Sequence, residues 1–314
     1  MRHRFLLLLL AAWTVMAAVP QAQADGPVFP PGSRIGLEPA GNLAVSRRFR
    51  GFEDIDHGVT VAIFDLPAAA YDQLSRSAFA DRAGVTNLER ETFAFAGGIG
   101  VLVSGTTETN GAKVHRWFLI ASAAPGEAQN LSLLVRVDVP DAAASVYDDA
   151  SVRKMLATIA FRVVPTEELL GLLPFTLTDL AGFRVMRVVP DGVIVIDGEG
   201  DDMSKQPYAI VSVGRGAPDN VDDRARFARD LLGTAPLNEL KISGAEPMRI
   251  GGWPGVEIRG EANGLKGEPV KLVQWVRFGS ANGAFLRVVA VAGKDRWDDA
   301  FNRFRALRDG VELR

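Results

Sequence analysis

Residues 250–260 read IGGWPGVEIRG, four glycines in eleven positions around Trp253 and Pro254. A phosphate-cradling loop needs its glycines between a strand and a helix N-terminus, where free backbone N–H groups and the helix dipole meet the anion. Here the spacing is GGxxG rather than GxGxxG, and the residues that follow alternate. Val256 and Ile258 would face a core while Glu257 and Arg259 face water, the period of a half-buried strand. The stretch reads as a bend that opens a strand.

The same pattern occurs upstream. Gly97-Gly98-Ile99-Gly100 is followed by VLVSG, as Gly251-Gly252-Trp253-Pro254-Gly255 is followed by VEIRG. Each copy then has a glycine closing the strand (Gly105, Gly260) and an Asn-Gly pair (Asn110-Gly111, Asn263-Gly264). Each also has a tryptophan five residues before a serine, Trp117 with Ser122 and Trp275 with Ser280. Ordered matches over this length indicate an internal duplication.

Each copy is readable as a module. The Asn-Gly pairs supply the positive φ angles of tight hairpins, and Asn282-Gly283 marks another before FLRVVAVAG. Leu131, Leu133, Val135, Val137 and Val139 share one strand face. A helix stripe follows each meander: Val152, Met155, Leu156 and Ile159 in one copy, Trp297, Ala300, Phe301 and Phe304 in the other. These stripes lay Leu156 on Phe301. Upstream helices are expected in PAAAYDQLSRSAFADRAG after the strand VTVAIFDL (59–66), and in VDDRARFARDLLG after PYAIVSVG (207–214). The fold class is α+β: two similar modules, each an antiparallel sheet flanked by helices. The boundaries expected are 1–24, 25–164, a short linker 165–174 around PTEELLGLL, and 175–314.

The first 24 residues form a leader. Arg2 and Arg4 precede an apolar run from Phe5 to Val19, shorter than the ~20 residues of a membrane span, and Ala22-Gln23-Ala24 is a small-x-small exit. A cleavable signal peptide cut after Ala24 is expected, with a periplasmic or secreted mature chain and no membrane span in it. Removing Arg2 and Arg4 takes the 35 basic residues to 33 against 38 acidic ones, a net charge of −5. That charge argues against nucleic acid, which needs a basic face. Cysteine is absent, which removes thiol nucleophiles and thiolate metal sites.

Few residues advertise chemistry. His57 lies in EDIDHG beside Asp54 and Asp56, and reads as a turn before a strand; His115 lies mid-strand beside Arg116 and Trp117. The acidic run Asp197, Glu199, Asp201 and Asp202 resembles a calcium loop in composition. Asp202 stands where such a loop needs its turn glycine, however, and no bidentate Glu follows, so a solvated hairpin tip is expected. Arg47, Arg48 and Arg50 near Phe49 and Phe52, and Arg303, Arg305 and Arg308, read as solvated faces. No GxSxG elbow or HExxH helix occurs. No catalytic, cofactor-binding or metal residue is assigned, and no cofactor is expected.

Exported, cysteine-free units of this order resemble the PsbP-like family, which includes the bacterial DcrB-like envelope proteins. The strand VTVAIFDLP with its helix, the glycine bend and strand, the tryptophan strand and the terminal helix carry the resemblance, once per half. IGLEP and RFRGFED are similar to stretches in exported proteins of Gram-negative bacteria. The resemblance implies a binding or assembly role and brings no catalytic residues. Two function classes follow: a non-enzymatic envelope protein that binds a protein or small ligand, or a periplasmic hydrolase or metal-dependent enzyme using His57 and the acidic loops.

Overall fold

The structure is a computed structural model that describes residues 26–76, 84–123, 131–279 and 283–314. The expected leader with its expected cut site, Ser280 and Asn282 lie outside these residues. The chain divides into two compact units, one built on Ile35–Phe161 with the segment ending at Pro30, the other on Arg162–Arg314 with Pro31–Arg34.

The first module runs β1 (Ile35–Gly36), β2 (Ala44–Val45), β3 (Gly51–Asp54), β4 (Val59–Pro67), α1 (Ala69–Arg76), β5 (Thr86–Phe95), β6 (Gly98–Thr109), β7 (Ala112–Ser122), β8 (Leu131–Pro140), α2 (Asp149–Ala157) and β9 (Ala160–Phe161). The second runs α3 (Thr166–Gly171), β10 (Phe175–Leu177), β11 (Arg184–Val189), β12 (Gly192–Ile196), β13 (Tyr208–Gly214), α4 (Val221–Leu232), β14 (Asn238–Ile250), β15 (Trp253–Asn263), β16 (Pro269–Phe278), β17 (Phe285–Gly293), α5 (Trp297–Asp309) and β18 (Val311–Leu313). The residues expected to join the modules therefore contain α3.

The two sheets have one topology. Their seven-stranded orders are β2-β3-β4-β8-β7-β6-β5 and β11-β12-β13-β17-β16-β15-β14, and each module adds a two-stranded pair, β1-β9 or β10-β18. All pairings are antiparallel. The crossover between β4 and β8 encloses the meander of β5, β6 and β7, and β13 to β17 repeats it. The chain is thus two copies of one α+β module with separate sheets.

The tryptophans hold the same place in both copies. Trp117 pairs with Val137, Val137 with Val61, and Val61 with Phe52; Trp275 pairs with Val288, Val288 with Val211, and Val211 with Val193. Both rows run into the core that packs on the terminal helix, the first with Val152, Met155 and Leu156, the second with Ala300, Phe304 and Leu307. The residue before Phe52 is Gly51 and the one before Val193 is Gly192. A Cβ on either would collide with a carbonyl, that of Val61 or of Val211.

The glycine bends are hairpin tips in both copies: Phe95 pairs with Gly98, and Ile250 with Trp253. At the second tip Gly251 and Gly252 take φ of +56° and +82°, the left-handed pair that a two-residue turn demands. Gly105 and Gly260 do not superpose when the tryptophans do. Ser104 faces Trp117 while Glu257 faces Trp275, so the glycine match is displaced by two residues. A two-residue slip keeps every side chain on its face, so the alternation survives it.

Two local expectations change. Asn110 and Gly111 form the expected tight turn, with φ of +51° and +76°. Asn263 instead ends β15, and residues 264–268 make a wider loop, in which the Glu268 carboxylate accepts the Lys266 N–H at 2.8 Å. The terminal helices also register differently from Leu156 on Phe301. The Arg162 N–H donates to the Arg34 carbonyl as the Arg314 N–H donates to the Pro174 carbonyl. Counting back from these bonds lays Val152 on Phe304, Met155 on Leu307 and Leu156 on Arg308. Leu156 thus moves by two helical turns, which returns it to the same face, so an apolar stripe alone cannot fix the register.

The second module buries the other sheet face as well. Ala228 and Leu232 of α4 pack with Val256, Ile258, Leu272, Val276 and Val289. Gln274, fully buried, donates to the Ala228 carbonyl at 2.7 Å and accepts from Arg287 at 2.8 Å. Arg287 also donates to the Leu231 carbonyl at 2.8 Å, satisfying the C-terminal end of α4. Burial lowers its pKa to about 10, so it stays charged at neutral pH and complements the helix dipole.

Candidate functional site

The two clusters singled out in the sequence are tips of corresponding hairpins. His57 lies in the short turn between β3 and β4, and the acidic run lies in the longer turn between β12 and β13. They belong to different modules and form two sites, each built from its own core.

In the first, Asp54 ends β3 and is 4% exposed. Its Oδ2 accepts from the Tyr147 hydroxyl at 2.6 Å and lies 2.8 Å from His57 Nδ1, while Oδ1 accepts the His57 N–H at 3.2 Å. Tyr147 Oη in turn accepts the Asn42 N–H at 3.0 Å. The Tyr147 hydrogen bond, ahead of those from His57, holds the Asp54 carboxyl below its ordinary range. Burial, reinforced by Asp54, raises the Tyr147 pKa to about 12. A buried carboxylate costs little when its oxygens are saturated in this way. The carboxylate orients the imidazole as in an acid–base pair, but among the described residues no serine or threonine hydroxyl hydrogen-bonds to the ring. Asp56 stays outside this network.

In the second, the acidic residues diverge. Asp197 takes a two-pronged grip from Arg303 of α5, Nη1 to Oδ2 and Nη2 to Oδ1, both 3.0 Å. That hydrogen bonding holds its carboxyl below the ordinary range. Arg303 also stacks over Phe183 at 4.4 Å and donates to the Ala181 carbonyl at 2.9 Å. Asp201 pairs with Arg184 at 2.6 Å, and Arg184 also donates to the Gly198 and Glu199 carbonyls, folding the loop onto β11. Asp202 accepts from Ser204 at 2.6 Å and Lys266 at 2.9 Å; its pKa is strongly lowered, chiefly by Ser204. Glu199 contributes a backbone carbonyl. A cation needs oxygens converging on one point. Here Asp197, Asp201 and Asp202 each face a different base, and among the described residues no group of three His, Asp or Glu is placed to hold a metal.

The other sequence candidates form surface pairs. His115 Nε2 lies 2.8 Å from Asp141, which Lys113 also approaches at 3.2 Å. Arg48 pairs with Glu53, and Arg50 lies 3.7 Å from Asp65. The sequence pattern reaches Asp54 as a neighbour of His57 but not Tyr147, and its reading of Arg303 and Arg308 as a solvated face fails: Arg303 grips Asp197, and Arg308 is buried.

Beside the second tip is a cavity of about 620 Å³, lined by Met203, Lys205, Tyr208, Val270, Val291 and Arg296, among others. Among the described residues no helix is long and apolar enough to cross a membrane.

No protein-family model and no curated protein matches the sequence. Solved structures do. LpqN of Mycobacterium tuberculosis, described as involved in cell envelope biogenesis, is 16% identical, with 44% of this chain and 82% of that one covered and a TM-score of 0.36. The cyanobacterial PsbP of Synechocystis sp. PCC 6803 is 14% identical, covering 42% of this chain and 82% of that one, TM-score 0.30. The type VI secretion immunity protein TplEi of Pseudomonas aeruginosa is 13% identical over 92% of this chain and 97% of its own, TM-score 0.29. A PsbP is thus among the structures this chain is similar to, as the sequence resemblance implied. Likeness at this level assigns no activity.

Proposed function

We propose that this is an exported, non-enzymatic envelope protein that binds a protein or a small ligand through its two modules, 25–164 and 175–314 joined by 165–174. One observation carries the reading: the side chains with most chemical potential are spent inside their own modules. His57 faces Asp54 and Tyr147, and Asp197 is gripped by Arg303. Groups committed in this way tie hairpin tips to terminal helix segments, and among the described residues they leave no assembled nucleophile, base and oxyanion donor. The leader supports a periplasmic or secreted location, and the net charge of −5 disfavours nucleic acid as a partner.

The test is capture on the tagged, processed protein from a periplasmic extract, with co-purifying proteins and small molecules identified. Specific, saturable capture supports the reading. Hydrolysis of ester or peptide substrates by the pure protein, abolished by His57→Ala, would replace it with the enzymatic alternative.

A further inference from the structure

The cavity of about 620 Å³ in the second module has a built interior. Its volume falls within the ~300–1,000 Å³ of small-molecule sites. It opens at the end of the sheet where β12 hands over to β13 and β15 to β16. One wall, Met203 to Gln206, belongs to the long turn 197–207, whereas the first module turns at the corresponding place within residues 55–58. The wall is therefore an addition that only the second copy carries.

Val270 and Val291 supply apolar surface, 4% and 1% exposed. Tyr208 lines the same space and is 3% exposed, yet its hydroxyl makes no hydrogen bond to any described residue. The hydroxyl oxygen opens onto the cavity, where an acceptor carried by a ligand would take the place of water. Burial and the nearby Glu268 charge raise the Tyr208 pKa to about 12. The phenol therefore remains a hydrogen-bond donor.

The charged residues of the lining are not equally available. Lys205 lies 3.7 Å from Asp202 and Lys294 2.6 Å from Glu261. Glu268 is engaged by the Lys266 N–H. Arg296 instead donates to the neutral Gln206 Oε1 at 3.0 Å. It forms no close ion pair among the described residues, and although its charge also acts on Asp197, an anion from solution can compete for it. Asp295 stands beside it in the turn before α5, so the anion must approach from the side of Arg296 away from that carboxylate.

We infer that the cavity binds a small organic acid: an apolar body on Val270 and Val291, an oxygen acceptor on the Tyr208 hydroxyl, and a carboxylate at Arg296. This rests on the reading of the chain as a binding protein and names the ligand class for one of its modules. The probe is 4-oxo-4-phenylbutanoate, which has all three parts. The comparisons are 4-phenylbutanoate, without the acceptor, and the methyl ester of the keto acid, without the charge.

Calorimetry on the full chain should show saturable binding of the keto acid, about ten-fold tighter than either comparison, the scale of one hydrogen bond or one charge contact. Tyr208→Phe should erase the preference over 4-phenylbutanoate, and Arg296→Gln the preference over the ester. Because Arg296 is exposed, its variant will fold even if Tyr208→Phe does not. Absence of keto-acid binding, or both preferences surviving in Arg296→Gln, overturns the proposal. A protein captured from extract while the keto acid fails to bind would leave the binding role standing and sink only this site.

Discussion

Asp54 and Asp197 close corresponding hairpins, and each carboxylate reaches back to the terminal helix of its own module. Asp54 meets Tyr147, just before α2, and Asp197 meets Arg303 within α5. Each module thus has a carboxylate clasp from its hairpin tip to its terminal helix segment, built at non-equivalent positions, with a phenol in one and a guanidinium in the other.

The phenol clasp should matter more than the histidine beside it. Tyr147→Phe leaves Asp54 buried without its principal donor and the Asn42 N–H without its acceptor, at a cost of about 1–3 kcal/mol. His57→Ala removes a partly exposed ring and should cost less, within about 0.5–1 kcal/mol. Urea melts of the two variants check the order; a larger loss from His57→Ala would contradict it.

Acid sensitivity follows from the same carboxylate. Its folded pKa is depressed, so its contribution is complete above the unfolded value of ~3.9 and is lost as pH falls through the folded value. Stability measured from pH 7 downward should drop steeply below about pH 4, and Asp54→Asn should flatten that limb while lowering the neutral plateau. An unchanged slope in the variant would assign the acid limb to other groups.

The guanidinium clasp predicts indifference to calcium. Asp197→Asn with Asp201→Asn should lower the melting temperature by the same amount with or without added Ca²⁺. Arg303→Lys, which loses the two-pronged geometry and the stacking on Phe183, should cost roughly 1 kcal/mol at this half-exposed site. A calcium-dependent rise in melting temperature, abolished by the double substitution, would make the loop a cation site.

Helix register gives a sharper contrast. Leu156 is fully buried, and Leu156→Ala should cost about 2–5 kcal/mol. Its counterpart Arg308 is 7% exposed and lies 4.9 Å over the Trp275 ring. Its ion-pair partner Asp309 is 56% exposed and would be left in water rather than buried unpaired, so Arg308→Leu should change stability by less than about 1 kcal/mol. Differential scanning calorimetry of both variants separates the two positions.

The proposed leader predicts a processed chain beginning at Asp25 in the periplasmic or secreted fraction. N-terminal sequencing that finds Met1 on membrane-held protein would refute export by cleavage.

The architecture was legible where burial repeats locally. Strand alternation at Leu131–Val139 and the doubled glycine bend foretold two antiparallel modules, because a period of two and a hairpin tip need only neighbours in the chain. Position along a face was not legible. The slip between Gly105 and Gly260, like the two-turn shift of Leu156 onto Arg308, leaves every apolar residue inward, so the pattern is blind to it. The clasps escaped notice for another reason. Asp54 with Tyr147 and Asp197 with Arg303 are joined across 93 and 106 positions, and nothing in a linear stretch distinguishes a clasped carboxylate from a solvated one.

The outer strands of the long hairpins, β5 and β14, border solvent as sheet edges. Each has a ladder irregularity near its start, after Thr86 or Asn238, next to a non-glycine residue at positive φ, Asn87 at +53° or Glu239 at +50°. Glu89, Arg90 and Glu91 follow on one, Lys241, Glu246, Pro247 and Arg249 on the other. Kinks, charges and proline on a free edge refuse an incoming backbone. A visiting peptide would find no ladder to extend there, and crowded copies of the protein no template on which to grow fibrils.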